Sequence, residues 1–293
     1  MKKYVFILNP KAGKGQAMTL VPYIQELFEN PVILESKYLG HAIELAQQNA
    51  GPNTIIYSLG GDGTLNEIVH GIMLSKYSQD TIVGILPCGS GNDFIKSITS
   101  VKDPKRLLTQ YREGNRRTID VGILNGRHFI NIASVGFDAE VVYNAKKYKR
   151  IPMFSAELAY LISVLATIAK LKAYPVNVTI DGQKIDQEEV LLISLANAKY
   201  YGGGMKPSPR AQFDDGYLDF CVIKKIKKLM VPFLLPKYIR GTHENIKQVH
   251  LYQGKKMTIS SIDSLPINID GEIIWSDRLD ISIKEKALTI LVV

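Results

Sequence analysis

The chain has 293 residues, 46% hydrophobic and 22% charged, with a formal net charge of +8. That length suits two domains or one large one, and that composition excludes a disordered chain. Excess positive charge favours anionic partners, namely nucleotides, nucleic acid or an anionic lipid surface, while two distant cysteines, Cys88 and Cys221, argue against a disulfide framework or zinc site and for a reducing intracellular compartment.

In chain order, the first apolar run (4–8) stops at Asn9-Pro10, too short for a signal-peptide core. Strands are predicted at 4–8, 32–34, 54–59 and 83–86, and helices at 16–28, 41–49, 65–72, 93–98 and 104–110. This alternation predicts a parallel sheet with helices on both faces, which binds ligands beyond the carboxyl ends of its strands. Three loops follow predicted strands there. Asn9-Pro10-Lys11-Ala12-Gly13-Lys14-Gly15 has neither the P-loop nor the dinucleotide-fold glycine spacing. Its Lys11 and Lys14 are suited to neutralise phosphate. Gly60-Gly61-Asp62-Gly63-Thr64-Leu65-Asn66-Glu67 joins a strand to a helix. Unpaired N–H groups and the helix dipole favour a phosphate at such a junction. Asp62 is placed to meet a nucleotide hydroxyl or a metal-bound water. Pro87-Cys88-Gly89-Ser90-Gly91-Asn92-Asp93-Phe94 repeats the pattern. An ordinary turn would explain any one of these loops. Three on one sheet edge point to a polyphosphate site.

After Asp120 the texture changes. Residues 176–180 alternate, and Asp181-Gly182 predicts a hairpin. Further strand-like runs fall at 190–195, 217–223, 257–260, 267–269, 279–283 and 288–292, with helices at 155–171 and 228–239. The latter is weakened by Pro232 and Pro236. These runs predict an antiparallel sandwich or barrel. The domains are set at 1–125 and 126–293. The apolar run 158–169 falls short of the roughly 20 residues of a membrane span, so a soluble or peripheral protein is expected. Asp214 and Asp215 beside Asp219, and Asp270-Gly271-Glu272, are oxygen-rich groups suited to Mg²⁺ or to a general base. Lys146-Lys147-Tyr148-Lys149-Arg150 and Lys224-Lys225-Ile226-Lys227-Lys228 adjoin apolar helices and suit an anionic membrane. No nucleic-acid motif or stacking pattern is present, and the five histidines lack metal spacing.

The glycine turn at 60–67 resembles the signature of the diacylglycerol kinase catalytic-domain family, which includes sphingosine kinases and bacterial soluble lipid kinases and is distantly related to NAD kinases and phosphofructokinases. Asn9-Pro10-Lys11-Ala12-Gly13 matches the family's opening motif, and residues 87–94 match another with Ser90 in place of threonine. The resemblance continues through Ile119-Asp120-Val121-Gly122, residues 131–138, Asp215-Gly216-Tyr217-Leu218-Asp219 and Asp270-Gly271-Glu272. It implies an α/β nucleotide domain of the NAD kinase/phosphofructokinase type and a β-rich, sandwich-like second domain, with ATP in the cleft between them. By resemblance Asn9, Pro10, Lys11, Ala12, Gly13, Ser36, Gly61, Asp62, Gly63, Thr64, Leu65, Asn66, Glu67 and Ser90 contact ATP. Asp215 holds Mg²⁺ with main-chain oxygens of Gln212 and Tyr217, and Asp120 joins that network. Glu272 or Asp270 takes the proton of a lipid hydroxyl. The implied activity is Mg²⁺-dependent phosphorylation of a lipid, diacylglycerol first, by a cytoplasmic enzyme peripheral to an anionic membrane. No nucleic-acid partner is implied. The oligomeric state stays open, a homodimer included. The alternatives are a soluble NAD kinase-like enzyme and a non-catalytic nucleotide- and membrane-binding module.

Overall fold

The computed structural model describes residues 2–112, 114–148, 156–185 and 188–293. Strands β1 (Lys3–Leu8), β2 (Val32–Glu35), β3 (Thr54–Gly60) and β4 (Ile82–Pro87) are parallel, in the order β4-β3-β1-β2. Along β1, Val5 and Ile7 join a core with helices α2 (His41–Asn49) and α3 (Asp62–Leu74). Phe6 and Leu8 join the opposite core, with α1 (Val21–Leu27) and α4 (Pro104–Tyr111). Burial on both faces is why these strands read as unbroken apolar runs.

The helix expected over 16–28 is divided. Residues Ala12–Leu20 form a tight 3-10 stretch in which Gly13, Lys14 and Gly15 all take left-handed φ (54°, 58° and 94°). A right-handed helix cannot run through that kink. The regular α1 begins only at Val21, with Pro22 in the first turn, where proline costs no hydrogen bond.

The second half contains β5 (Asn115–Leu124), β6 (Arg127–Phe129), β7 (Ile132–Gly136), α5 (Phe137–Tyr148), α6 (Ala156–Ala169), β8 (Tyr174–Ile180), β9 (Gln183–Lys184), β10 (Glu188–Ala196), β11 (Leu218–Lys224), α7 (Val231–Arg240), β12 (Val249–Gly254), β13 (Lys256–Ile269) and β14 (Glu272–Val292). Its strands pair antiparallel. They enclose a core that includes Val178, Phe220, Ile259 and Leu279. The class is the expected one, an α/β parallel-sheet domain followed by a β-rich, sandwich-like domain. β5, β6, β7, β12 and α5 carried no clear local pattern in the sequence. The expected runs 257–260 and 267–269 are one strand, as are 279–283 and 288–292. Lys149 and Arg150 of the first basic cluster lie outside the described residues, as does Ser155. Among the described residues no helix is long and apolar enough to cross a membrane.

β14 ties the halves together. It pairs with β13, runs along β5, and reaches β4 at Thr289 and Ile290 in parallel register. One hydrogen-bonded sheet therefore runs from the parallel half into the antiparallel half.

Candidate active site

The three glycine loops meet. A Cβ on Gly13 would lie 2.1 Å from the Cys88 carbonyl oxygen, and one on Gly89 would lie 2.3 Å from the Gly61 Cα. Only glycine permits such main-chain packing. Asn9 Nδ2 donates to Thr64 Oγ1 at 3.3 Å, and Asn9 Oδ1 accepts the Lys11 N–H at 3.0 Å. The Asn9 N–H bonds the Leu59 carbonyl, that of Ala12 bonds Asn9, that of Ser36 bonds Leu8, and that of Cys88 bonds Gly60. Asn9 to Gly13, Ser36, Gly61 to Glu67 and Ser90 thus lie at the carboxyl ends of β1 to β4. Lys14 holds a left-handed conformation despite its side chain, a strain of about 1–3 kcal/mol that the surrounding loop must maintain.

Several expected ligand residues have structural partners. Asp62 Oδ1 accepts the N–H groups of Asp93 (2.6 Å) and Phe94 (3.1 Å), so this carboxylate bolts the second loop to the third. Burial raises its pKa and the Phe94 N–H opposes that. Glu67 accepts the Ala42 N–H at 3.2 Å, fixing the start of α2 beside the Ser36 loop. Leu65 is buried in the core, and its N–H donates to the Gly61 carbonyl at 3.1 Å. Pro10 is half-buried, while Lys11, Gly63 and Ser90 are exposed.

The late acids divide into two centres. Asp270 lies against the glycine turn. With its amide oriented by its neighbours, Asn66 Nδ2 donates to Asp270 Oδ2 at 2.9 Å and to the His128 carbonyl at 3.2 Å. Burial raises the Asp270 pKa well above the usual carboxylate range, followed by the charge of Asp62; the Ile132 N–H opposes this, and Glu272 and Asp93 add to the rise. Glu272 is ion-paired with Arg127. The second centre is the turn around Asp215. Asp215 Oδ1 accepts the Tyr217 N–H at 3.0 Å, and Oδ2 accepts from Gln253 Nε2 at 3.2 Å. Asp120 is fully buried. Its two oxygens accept the N–H groups of Gly216 (2.7 Å) and Lys286 (2.6 Å), so it anchors that turn to β14 and has no oxygen free of the main chain. Gln212 and Tyr217 flank Asp215 and are exposed.

The donor set at this turn fits a hard divalent cation. Asp219 shares Gln253 with Asp215 and carries a buried Oδ2 without a hydrogen-bond partner. Oxygen donors of this kind, completed by water, are what Mg²⁺ takes. Among the described residues no group of three or more His, Cys, Asp and Glu side chains is clustered to hold a metal.

Sequence reasoning passed over three features. His70 and His128, read as ordinary, face each other with their Nδ1 atoms 2.9 Å apart, next to Arg127. Asp93 Oδ2 accepts the Gly203 N–H at 2.7 Å, joining the third loop to the second domain. An apolar cavity of about 60 Å³ lies between α5, α6, α7 and β10, lined by Val141, Val164, Leu192, Leu234 and Tyr238, with Asp138 at its polar end. Burial pushes the Asp138 carboxyl up to about 6, against hydrogen bonds from Ser134, Ala139, Tyr201 and Asn268. Asn268 Oδ1 also accepts the Gly271 N–H at 2.8 Å, so the cavity's polar end connects to the Asp270–Glu272 turn. The only local signal was Asp138 within the 131–138 motif.

Residues 3–124 match the model of the diacylglycerol kinase catalytic domain, and residues 131–292 match the YegS C-terminal NAD kinase beta sandwich-like domain. The chain belongs to the diacylglycerol kinase catalytic-domain family. A diacylglycerol kinase of Staphylococcus carnosus is 29% identical over 283 residues, covering 92% of this chain and 89% of the relative. One from Staphylococcus aureus is 29% identical over 276 residues, covering 92% and 86%. A Bacillus anthracis protein provisionally described as a diacylglycerol kinase superposes with a TM-score of 0.81 at 26% identity, covering 100% of this chain and 95% of that one. An NAD kinase of Archaeoglobus fulgidus shares the fold, with a TM-score of 0.55 at 11% identity and coverage of 98% and 92%. Family membership makes this chain a kinase of the lipid-kinase group.

Proposed function

We propose that this kinase transfers the γ-phosphoryl group of ATP to the hydroxyl of a lipid, with diacylglycerol the leading acceptor and phosphatidic acid the product. The observation that carries the reading is the Asn66–Asp270 bond, which puts the late carboxylate against the glycine turn that follows β3. Residues 1–125 supply the nucleotide site and 126–293 the lipid site, with Asn9 to Gly13, Ser36, Gly61 to Glu67 and Ser90 around ATP. Lys11 steadies the triphosphate. Phosphoryl transfer needs positioning and charge neutralisation more than covalent help.

Asp270 is the base in this reading. Burial and the neighbouring charge of Asp62 raise its proton affinity, which favours uptake of the hydroxyl proton. Glu272 is held by Arg127 and orients the turn. As the lipid oxygen bonds to the γ-phosphorus, its proton passes to Asp270, and the bond from the γ-phosphorus to the β–γ bridging oxygen breaks to release ADP. The acceptor's acyl chains occupy the apolar cavity, whose Asp138 end communicates with Gly271 through Asn268. Asp215, with main-chain oxygens of Gln212 and Tyr217 and the Asp219 carboxylate, would hold Mg²⁺, which offsets negative charge when bound. The protein works in the cytoplasm at an anionic membrane face.

The test is transfer of labelled phosphate from ATP to a lipid panel in micelles, with and without Mg²⁺. Diacylglycerol, phosphatidylglycerol, a sphingoid base and an undecaprenyl-type alcohol form the panel. Label in a lipid is the expected result. Label in NAD, or none in any acceptor, would overturn the proposal.

A further inference from the structure

We infer that the exposed face of α7, together with the lysine-rich segment before it, is the surface on which this chain rests on an anionic bilayer. The inference takes its orientation from the lipid-kinase reading. Residues 224–240 contain Lys224, Lys225, Lys227, Lys228, Lys237 and Arg240 and no acid. Among them stand two bulky apolar side chains in water, Leu229 at 83% exposure and Phe233 at 76%. They are four residues apart, and Pro232 and Pro236 are exposed beside them. A lone exposed leucine means little. Two adjacent ones ringed by like charges form the composition of an interfacial helix, whose apolar side chains enter the acyl boundary while its lysines meet anionic headgroups.

The opposite face of the same helix makes the choice of a bilayer over another partner. Val231, Leu234 and Tyr238 line the apolar cavity. A membrane beneath Leu229 and Phe233 therefore lies one helix thickness from the cavity. A lipid acceptor would leave the bilayer along α7 without crossing water. Some of these lysines have partners within the chain: Lys225 pairs with Glu189, itself exposed, and Lys228 Nζ donates to the Ala169 carbonyl at the end of α6. The second bond ties the segment before α7 to the end of α6.

The test uses the full chain, sedimented with vesicles of phosphatidylcholine alone or with added phosphatidylglycerol. The parent should bind the anionic vesicles, and binding should weaken as salt screens the lysines. The double variant Leu229→Asn with Phe233→Asn, and separately Lys227→Glu with Lys237→Glu, should lose binding by roughly tenfold or more. Both should keep the parent's turnover of a short-chain, water-dispersed diacylglycerol and lose turnover of vesicle-borne lipid. Vesicle binding equal to the parent's in both variants overturns the inference. So does a lipid-free dimer that the Leu229→Asn, Phe233→Asn variant converts to monomer, because the face would then join two copies. Weakened vesicle binding alongside absent lipid phosphorylation by the parent would uphold the surface and sink the kinase reading instead.

Discussion

At the scale of single residues, the site depends on glycines that no larger residue replaces and on carboxylates with separate duties. A methyl group at Gly89 would meet the Gly61 Cα. Overpacking of that kind costs about 1–3 kcal/mol. Gly89→Ala should therefore weaken ATP binding roughly tenfold or more, read by calorimetric titration with the melting temperature as control. Unchanged affinity would mean that ATP does not lie on these loops. Asp120→Ala removes two buried bonds to main-chain N–H groups. It should cost about 3 kcal/mol, since bonds to a charged group contribute about 1.5–3 kcal/mol each. Urea denaturation measures this. Asp270→Asn should lower kcat by ~10²–10⁴-fold, and Glu272→Gln by much less; equal losses would refute the division of roles. The sequence named these residues, because glycine and acid patterns are local. It left Asp270 and Glu272 undivided, because Arg127 approaches from another strand.

Among the elements, α3 and β6 form a junction whose chemistry titrates. His70 Nδ1 lies 3.3 Å from the His128 N–H and 2.9 Å from His128 Nδ1. Burial lowers the His128 pKa to about 4, and His70 and Lys284 push the same way. His70 is lowered by burial and then by Arg127, with Glu272 opposing. A depressed imidazole binds fewer protons folded than unfolded, so its contribution is complete above the ordinary value of 6.5 and is lost as pH falls toward 4. Asp138, raised to about 6, has the opposite slope: its contribution is complete below its ordinary value of 3.8 and is lost as pH rises through about 6. Comparing the parent with His128→Asn isolates the histidine. The variant's melting temperature should fall less between pH 6.5 and 4, and parallel curves would show that the pair does not govern acid stability. The helices here were legible because apolar spacing sets them locally. β5 and β12 were not, because their residues, beginning Asn115-Arg116-Arg117 and mixing His250 with Gln253, become strands by pairing with β14 and β11.

In the whole molecule, β14 is the common beam. Leu288, Ile290 and Leu291 are buried in the two cores of the first half although they end the second. A chain cut after Glu285 would expose the edge of β4 and empty those positions. It should lose the cooperative unfolding of the first half as well as the second, which is measurable by calorimetry and hydrogen exchange. Native-like protection in β1, β3 and β4 would contradict this.

Strand period, helix spacing and glycine turns are set by neighbours a few residues apart, so the amino-acid order alone determined the α/β start, the β-rich remainder and the loops suited to phosphate. It also contained the identical dipeptides Asp181-Gly182 and Asp270-Gly271, both with two left-handed residues in the hairpin turn. Glu272 beside the second already set them apart in the sequence, and the fold gave the difference its surroundings, placing Asn66 beside the second and the Lys255 and Lys256 N–H groups beside the first. The apolar cavity, the Arg127 pairing and the crossing of β14 were likewise decided by tertiary structure, because each joins residues far apart in the chain whose contact energy exists only once the sheet has closed.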